Sequence, residues 1–492
     1  MNSLNYTLGI DFGGGASKAT LLASDGSIAA TNTVEYPTSY PRPGYAEQNP
    51  LDWYTATRQN IAAILETSRI DPHDILAVAL DAATHTAVLC DEDYNILRPS
   101  IYWTDSRSTD EVAYLKREWG EFIYSHILHS PDTIWTLPQL MWVKKHEPEV
   151  WKRTERIMFA KDFVRHMLTG DYVTDYIEAE GSMFFDYNRL EWSDELLGLL
   201  EFPKARLPEI VKPTDFVGKL SKAAADETGL VEGTPIVCGT TDTAMEVFAA
   251  GAVNKGDMTV KLATAGRICV VSDRAFPDPN LINYSHIADG MWYPGTATKS
   301  CASSLRWYRD TFGGNYREID EAAANISIGA DGLMFHPYLN GELTPYGDPA
   351  LSASFVGVRA NHTKAHFDRA LLEGVALSML DCKKTLETIG IEHTDTATII
   401  GGGASSGLWR QIVADALGIR LARRRESDSS FGSAMLAGVS AGMFAGFTAA
   451  LNACNSVESY TEPSEENTAR YERLYTKYKA IHDALAPIYH GL

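Results

Sequence analysis

An aspartate stands in a turn of small residues at 239–244, directly after the apolar run 235–238. The turn reads Gly-Thr-Thr-Asp-Thr-Ala, and its acid is Asp242. A carboxylate among such small side chains can approach a hydroxyl group of a bound molecule and accept its proton. The alternative is structural, because Thr and Asp are also common N-cap residues for a helix such as 244–251. The two roles are compatible, and Asp242 is the candidate catalytic base.

A second acid precedes a run of glycines near the start of the chain. Asp11 ends an apolar strand, and Gly13, Gly14 and Gly15 form the turn before Lys18. Glycines allow backbone N–H groups to converge on an anion such as a phosphate. The lysine could also reach a phosphate, and the acid could hold Mg²⁺ directly or through water. The alternative is an ordinary glycine-rich hairpin.

A third cluster of glycines follows an apolar strand in the second half of the chain. Three glycines at 401–403 precede Ala404, Ser405 and Ser406, and the helical segment 408–418 comes next. A strand, three glycines and a helix form a surface at which a flat ring or a ribose can lie close to the backbone. Three glycines alone are a weak signal, and the helix at this spacing strengthens it.

The segment Trp103-Thr104-Asp105-Ser106-Arg107 combines an aromatic face with polar groups. The indole offers an apolar surface for a sugar ring, while Asp105 and Arg107 offer partners for hydroxyl groups. The alternative is that Asp105 and Arg107 form a structural ion pair.

The segments around these motifs are predicted to alternate between strands and helices. The wholly apolar run that ends in an acid at 75–81 indicates a central strand buried on both faces. Further strands are predicted at 6–11, 16–23, 27–36 and 235–238, and helices over 50–67, most of 107–170, 365–390 and 466–488.

The opening pattern of strand, small-residue turn and strand recurs at 258–273. This recurrence predicts an internal duplication with a boundary near residues 245–255. The apolar stretch 435–454 is long enough to be mistaken for a membrane span, but it is rich in Ala, Gly and Ser. It is therefore predicted to be a buried, closely packed helix.

Length and composition indicate a globular protein of several domains. The chain has 492 residues, 45% hydrophobic residues and a net charge of -21. That charge argues against a nucleic-acid partner or an anionic membrane. The six cysteines include no CxxC pair, which argues against a zinc site and fits a reducing cytosol. The first residues lack a basic region followed by an apolar core, so no secretory signal is predicted.

In this order, the motifs resemble the FGGY family of carbohydrate kinases, within the actin-like ATPase superfamily. The resemblance extends from residue 8 to about residue 444 and is strongest in the order and spacing of the motifs. The xylulokinase-like members are the nearest branch because of His85 and the segment Gly-Tyr-Ala-Glu-Gln. The further matching segments are 43–48 before Trp53, 138–142, 335–342 and 355–358 with Glu373-Gly374.

The resemblance implies an α/β fold with two actin-like (ribonuclease H-like) ATPase domains, and ATP and sugar in the cleft between them. The N-terminal domain, residues 1–248, would carry the sugar and the first phosphate loop. The C-terminal domain, residues 249–492, would bind the nucleotide.

The resemblance also implies a role for each motif residue. Asp242 would be the catalytic base and Asp11 the acid linked to Mg²⁺. The remaining implied residues are Gly13, Gly14, Gly15, Lys18, Thr264 and Gly266 for the phosphates, Gly402, Gly403 and Ser406 for adenosine, and Thr84, His85, Trp103 and Asp105 for the sugar.

The implied reaction is the phosphorylation of a sugar or polyol hydroxyl, with ATP and Mg²⁺ as cofactors. The best single expectation is D-xylulose, giving D-xylulose 5-phosphate. A cytoplasmic location is expected, with neither a nucleic acid nor a membrane as a partner. A homodimer is common among kinases that resemble this chain.

The chain departs from the family pattern in both phosphate loops and in the sugar segment. Gly14 stands where the first loop usually carries a hydroxyl residue. In the second loop Ala265 replaces a serine and the bulky Arg267 follows. The segment 81–85 and Thr104 differ from the xylulokinase pattern. Backbone N–H groups can still bind phosphate, but a changed polar partner can alter the choice of sugar.

Three other functions are therefore kept open. The chain could phosphorylate another ketose or a polyol. It could be a sensor of kinase descent that binds sugar or nucleotide with weak catalysis, as the altered loops suggest. It could also be an actin-like chaperone or filament ATPase. The presence of both Asp11 and Asp242 favours a kinase.

Overall fold

The computed structural model describes residues 4–492, and its elements are numbered here in chain order. The α-helices of this range are α1 (Pro50–Ser68), α2 (Thr109–Ile127), α3 (Thr136–His146), α4 (Pro148–Arg153), α5 (Ala160–Thr169), α6 (Tyr176–Gly181), α7 (Asp194–Leu200), α8 (Lys222–Thr228), α9 (Asp242–Ala249), α10 (Ala302–Phe312), α11 (Tyr316–Ala324), α12 (Lys364–Ile389), α13 (Gly407–Leu417), α14 (Ser429–Ser440), α15 (Phe447–Cys454) and α16 (Glu465–Tyr489).

The strands of the same range are β1 (Tyr6–Phe12), β2 (Ala16–Ala23), β3 (Ile28–Glu35), β4 (Glu47–Gln48), β5 (Ile75–Ala82), β6 (Ala87–Cys90), β7 (Ser100–Ile101), β8 (Arg156–Phe159), β9 (Val173–Asp175), β10 (Phe185–Asp186), β11 (Glu191–Trp192), β12 (Glu209–Val211), β13 (Phe216–Lys219), β14 (Pro235–Val237), β15 (Thr240–Thr241), β16 (Met258–Leu262), β17 (Gly266–Val270), β18 (Gly295–Thr298), β19 (Met334–His336), β20 (Ser354–Val356), β21 (Thr396–Ile400), β22 (Arg420–Arg424) and β23 (Val457–Thr461).

Most predicted elements are present, and several predictions need correction. The region 107–170 is mainly helical but also contains β8, which pairs with β6. A run as short as Arg-Ile-Met-Phe cannot be assigned to strand or helix by periodicity. The segment 239–244 is not only a turn, because β15 occupies two of its residues and α9 begins at Asp242.

The chain forms two compact units. The first unit contains Met1–Gly251, Tyr284–Gly290 and Glu426–Ser456, and the second contains Ala252–Asn283, Met291–Arg425 and Val457–Leu492. These units differ from a simple division after residue 248, because the segment with α14 and α15 belongs to the first. The physical reason is that α14 packs directly on β1 and β5 of the first unit.

The first unit is built on a seven-stranded sheet with the order β13-β14-β5-β1-β2-β3, in which β15 also pairs with β5. Strand β2 is antiparallel to both β1 and β3, while β5 is parallel to both β1 and β14. Almost every residue of β5 is buried, as the predicted central strand requires.

The second unit is built on a six-stranded sheet with the order β18-β17-β16-β21-β22-β23. Three antiparallel strands are again followed by two parallel pairings, β16 with β21 and β21 with β22, and by an antiparallel edge strand. This is the strand pattern of the first sheet, so the two units have the topology that the predicted duplication requires.

The apolar stretch 435–454 is divided between two helices, α14 and α15, rather than forming one. In the residues that the structure describes, the helices lack the length and apolar character needed to cross a membrane. Small residues let α14 approach the sheet closely. A Cβ atom added to Gly9 of β1 would lie 2.0 Å from the carbonyl oxygen of Ser430 and 2.2 Å from the nitrogen of Ala434.

Replacing Gly9 with alanine should therefore destabilise the first unit. The new methyl group would overlap the backbone of α14, and such overpacking lowers the free energy of unfolding by about 1–3 kcal/mol. The measurement is urea denaturation followed by circular dichroism. Gly198→Ala in α7 is the matched control, because nothing lies within 4 Å of its new Cβ, and alanine favours a helix. Equal midpoints for the two variants would contradict the close approach of α14.

Candidate active site

Three aspartates lie at the carboxyl edge of the parallel strands in the first sheet. Asp11 of β1 is paired in register with Asp81 of β5. Thr240 and Thr241 of β15 pair with the end of β5, and Asp242 follows them. Because parallel strands end at the same edge, the sheet brings the predicted base and the predicted Mg²⁺-linked acid together.

The position of Asp242 depends on the residues before it. Gly239 has a φ of 74°, and a Cβ there would lie 1.8 Å from the carbonyl oxygen of Leu80. Only glycine can therefore bring the chain against β5 at this point. Thr241 is the N-cap of α9, while the carboxylate of Asp242 accepts a hydrogen bond of 2.6 Å from the N–H of Thr243. The helix cap and the candidate base are thus different residues.

Asp11 and Asp81 form a buried acidic pair. Their Oδ1 atoms are buried and receive no hydrogen bond from a donor group of residues 4–492. Burial raises the pKa of Asp11 to about 7, and the charges of Asp242 and Asp428 add to the effect. Burial and the charge of Asp11 raise the pKa of Asp81 well above its usual value, although Ser433 donates to it at 2.5 Å. Such a pair needs a shared proton or a cation.

The hairpin between β1 and β2 is held by its carbonyl oxygens. Each oxygen of the turn accepts hydrogen bonds from the segment that follows β3. The bonds run from Tyr36 Oη to Gly13 (2.6 Å), from Thr38 Oγ1 and Gln48 Nε2 to Gly14 (2.6 and 3.0 Å), and from Tyr36 N to Gly15 (3.0 Å). Within residues 4–492, the N–H groups of Gly14 and Gly15 have no assigned acceptor. They can therefore bind an anion.

The hairpin between β16 and β17 in the second unit is held in the same way. The bonds to its carbonyls run from Ala302 N to Ala263 (2.7 Å), and from Cys301 N and Ser303 Oγ to Thr264 (3.0 and 2.7 Å). The N–H groups of Thr264 and Ala265 have no assigned acceptor in the described chain. Gly266 is the first residue of β17.

The predicted adenosine residues lie beside this second hairpin. A Cβ on Gly403 would lie 2.9 Å from the Cβ of Leu262, the last residue of β16. A short 3₁₀ turn, Gly402–Ser405, contains both glycines. Ser406 is the N-cap of α13 and accepts a hydrogen bond of 3.0 Å from Trp409 N. The structure therefore brings these residues together with Thr264 at the carboxyl edge of the second sheet.

The predicted sugar residues belong to the first unit. Thr84 and His85 follow β5 at the same edge as Asp242. Trp103 is 44% exposed and packs against Tyr102 with ring centroids 6.0 Å apart. Burial raises the pKa of Tyr102, and the charge of Asp242 raises that pKa further. Tyr102 therefore lies near enough to Asp242 to feel its charge, and it is in ring contact with Trp103.

Asp105 is the predicted sugar residue whose oxygens are engaged by the protein. It accepts hydrogen bonds from Ala46 N at 2.6 Å and Arg107 N at 2.8 Å, and it forms a buried ion pair with the guanidinium of Arg107 at 2.8 Å. Arg107 also contacts Glu47 at 2.8 Å and lies 3.9 Å from the ring centre of Tyr45. This geometry favours the structural ion pair that the sequence left open.

Sequence reasoning did not assign three residues to the site: Asp428, Asp81 and Tyr102. Asp428 lies 3.1 Å from Lys18, which was predicted to reach a phosphate. Asp428 belongs to a segment more than 400 positions away, and no motif marks it. Asp81 could have been found, because it ends the apolar run of a central strand just as Asp11 does. Tyr102 stands beside the Trp103 motif.

Comparisons with known proteins identify relatives of this chain. The N-terminal domain of the FGGY family of carbohydrate kinases matches residues 6–249, and the C-terminal domain of that family matches residues 236–441. The chain is 30% identical to a xylulose kinase of Bacillus subtilis strain 168, over 97% of each chain. It is 27% identical to a gluconokinase of the same organism, over 96% of this chain and 94% of the relative.

Solved structures show the same relationship. A xylulose kinase from Rhodospirillum rubrum superimposes with a TM-score of 0.92 at 28% identity, covering 99% of this chain and 100% of that chain. The predicted fold class, a mixed α/β chain with two actin-like domains, is thereby confirmed. The chain belongs to the FGGY family of carbohydrate kinases.

Proposed function

We propose that the protein transfers the γ-phosphoryl group of MgATP to a hydroxyl group of D-xylulose, giving D-xylulose 5-phosphate. The observation that carries this proposal is the placement of Asp242 at the edge where Asp11 and the 13–15 hairpin also lie. The xylulose kinases similar to this chain over nearly its whole length support the choice of sugar.

Asp242 would act as the general base. Its carboxylate lies at the start of α9 and accepts a hydrogen bond from the N–H of Thr243. The sugar hydroxyl would lose its proton to this carboxylate as its oxygen attacks the γ-phosphorus, and ADP would leave. The exposed indole of Trp103 offers the apolar face of the sugar a surface to lie on.

Each unit offers a hairpin whose N–H groups could bind phosphate. In the first unit these are Gly14 and Gly15, and in the second Thr264 and Ala265. The side-chain hydroxyls missing from the first hairpin are not needed for such contacts. Lys18 would have to exchange Asp428 for a phosphate, and both side chains are partly exposed, which makes that exchange feasible.

Adenosine would lie against the second unit at Gly402 and Gly403. Gly402 has no side chain to keep a flat ring away from the backbone, and nothing lies within 4 Å of a Cβ placed there. The hydroxyl of Ser406 already caps α13, so it would offer the nucleotide only a further lone pair or its proton.

The acidic pair fits a divalent cation. Asp11 has a buried oxygen without a donor. Burial raises its pKa and the charges of Asp242 and Asp428 raise it further, and a bound cation would offset both effects. Carboxylate oxygens and water are the ligands that Mg²⁺ prefers. Asp11 would hold the ion directly or through water, and the bound ion would offset negative charge on the phosphate oxygens.

The charges near the base favour an uncharged sugar over a sugar acid. When Asp11 and Asp81 share one proton, the pair and Asp242 still make this edge negative. Two nearby cations already have carboxylate partners, Lys18 with Asp428 and Arg107 with Asp105. An anionic substrate such as gluconate would therefore be repelled. This argument separates two substrate types that relatives of similar identity act on.

The first prediction of the proposed function concerns the base and the substrate together. ADP release should be measured with MgATP and a panel of ketoses, polyols and D-gluconate. D-xylulose is expected to give the highest kcat/KM, and Asp242→Asn should reduce kcat by about 10²–10⁴-fold because proton acceptance is lost.

Asp226→Asn is the matched control, since its side chain is 69% exposed on α8, and it should keep full activity. Undiminished turnover by Asp242→Asn would contradict the base assignment. Preference for gluconate would contradict the electrostatic argument. ATP binding without turnover of any sugar would favour the sensor.

The second prediction concerns the metal. Asp11→Asn should raise the Mg²⁺ concentration for half-maximal rate by about tenfold or more, because one negative ligand becomes neutral. The rate is measured against free Mg²⁺ at saturating sugar, with Asp226→Asn as control. An unchanged Mg²⁺ dependence would remove Asp11 from the metal site.

The third prediction separates the two roles of Asp105. Asp105→Asn should lower the free energy of unfolding by about 1–3 kcal/mol, because the buried guanidinium of Arg107 keeps Glu47 but loses its second carboxylate partner. The KM for the sugar should stay unchanged in the folded fraction. Glu321→Gln, which breaks an exposed pair with Arg317, should leave the unfolding midpoint unchanged. A raised KM with unchanged stability would restore the predicted sugar contact.

A further inference from the structure

A short segment of the chain, Tyr284–Gly290, is called the strap here. It belongs to the first unit although the chain on either side of it belongs to the second. Polar contacts fasten the strap along its length. They are Ser285 N and Oγ to Glu180 (2.8 and 2.5 Å), Tyr176 Oη to the carbonyl of His286 (2.9 Å), Lys212 to Asp289 (2.5 Å), and Tyr284 Oη to His85 Nε2 (2.9 Å).

His85, the residue that the strap contacts, has a strained backbone. Its φ is 67°, a conformation that is rare for a residue other than glycine and persists only where its surroundings enforce it. The backbone N–H of His85 donates to Glu178 Oε1 at 2.7 Å, and its carbonyl accepts from Thr136 Oγ1 at 2.7 Å. Strain enforced in this way often marks a functional site.

The imidazole of His85 is held as firmly as its backbone. The ring lies against Gly181, where an added Cβ would be 1.6 Å from Nδ1. It also packs on Trp135, with ring centroids 4.9 Å apart, and its Nε2 has the hydroxyl of Tyr284 at 2.9 Å. Burial lowers the pKa of His85 well below its usual value, and nearby His129 lowers it further. The contact with Tyr284 is thus a hydrogen bond between neutral groups.

We propose that Tyr284 is a positioning residue for the sugar, acting through His85. The tyrosine hydroxyl fixes the rotation of the imidazole, while Glu178, Thr136 and Gly181 fix its backbone and its place. The strap therefore sets the orientation of the imidazole of His85. Apart from Asp105, this is the ionisable side chain among the predicted sugar residues Thr84, His85, Trp103 and Asp105. This inference rests on the proposed sugar kinase function.

The test is Tyr284→Phe, which removes the hydroxyl and keeps the ring. The sugar Kd from calorimetry and the sugar KM should both rise about tenfold, the loss expected for one buried hydrogen bond. The KM for ATP should not change, whereas the thermal midpoint should fall because a buried hydrogen bond is lost. Tyr176→Phe is the matched control, because it also removes one tyrosine hydroxyl that fastens the strap but leaves His85 untouched. If the two variants raised the sugar Kd and KM equally, the proposal would be overturned, because the two tyrosines would then act only by holding the strap in place.

A double-mutant cycle with His85→Asn shows whether Tyr284 acts through the imidazole. Asparagine tolerates positive φ, so this variant can retain the backbone conformation. In that background Tyr284→Phe should weaken sugar binding no further. A second tenfold loss would mean that Tyr284 touches the sugar itself and would overturn the positioning role. Sugar binding without phosphorylation in the wild type would instead contradict the kinase proposal, while calorimetry would still test Tyr284.

Discussion

The structure of the first unit depends on the burial of negative charge at one edge of its sheet. Asp11 and Asp81 are neighbours in adjacent parallel strands, and Asp242 begins a helix at the same edge. Buried like charges repel strongly, so the edge is stable only with a shared proton, hydroxyl donors or a cation. The same repulsion that would weaken an empty fold favours a bound cation at this edge, which is what the proposed function requires.

Helix α14 serves both the packing and the charge of this edge. Its N-cap is Asp428, which pairs with Lys18, and Ser433 one turn further donates to Asp81. The helix can deliver these groups only because Gly9 allows its backbone to lie against β1. A side chain at that glycine would therefore disturb the acidic pair as well as the core.

Sequence reasoning predicted the elements well and their partners less well. Apolar periodicity and turn residues located β1, β2, β5 and α12, because these signals are local. The assignment of 426–456 to the first unit depends on a fit between two small-residue surfaces over 400 positions apart. The ion pair of Asp105 likewise required knowing that the chain near Ala46 and Glu47 folds over it. The motif predicts Asp105 as a site residue, but only the three-dimensional contacts show that its carboxylate oxygens already bind Ala46 N and Arg107.

The two hairpins predicted to bind phosphate, between β1 and β2 and between β16 and β17, also show that a motif alone is not sufficient to judge a site. Judged by their own residues, both loops have lost hydroxyl groups that the family usually carries. The conformation of each loop, however, is held through its carbonyl oxygens by residues outside it, Tyr36 and Gln48 in one unit and Ser303 in the other. With the carbonyls bound in this way, the N–H groups of residues 14, 15, 264 and 265 have no assigned acceptor in the described chain, and this does not depend on which small side chain stands there. Phosphate binding by such a loop is therefore a property of its supporting residues as much as of its motif.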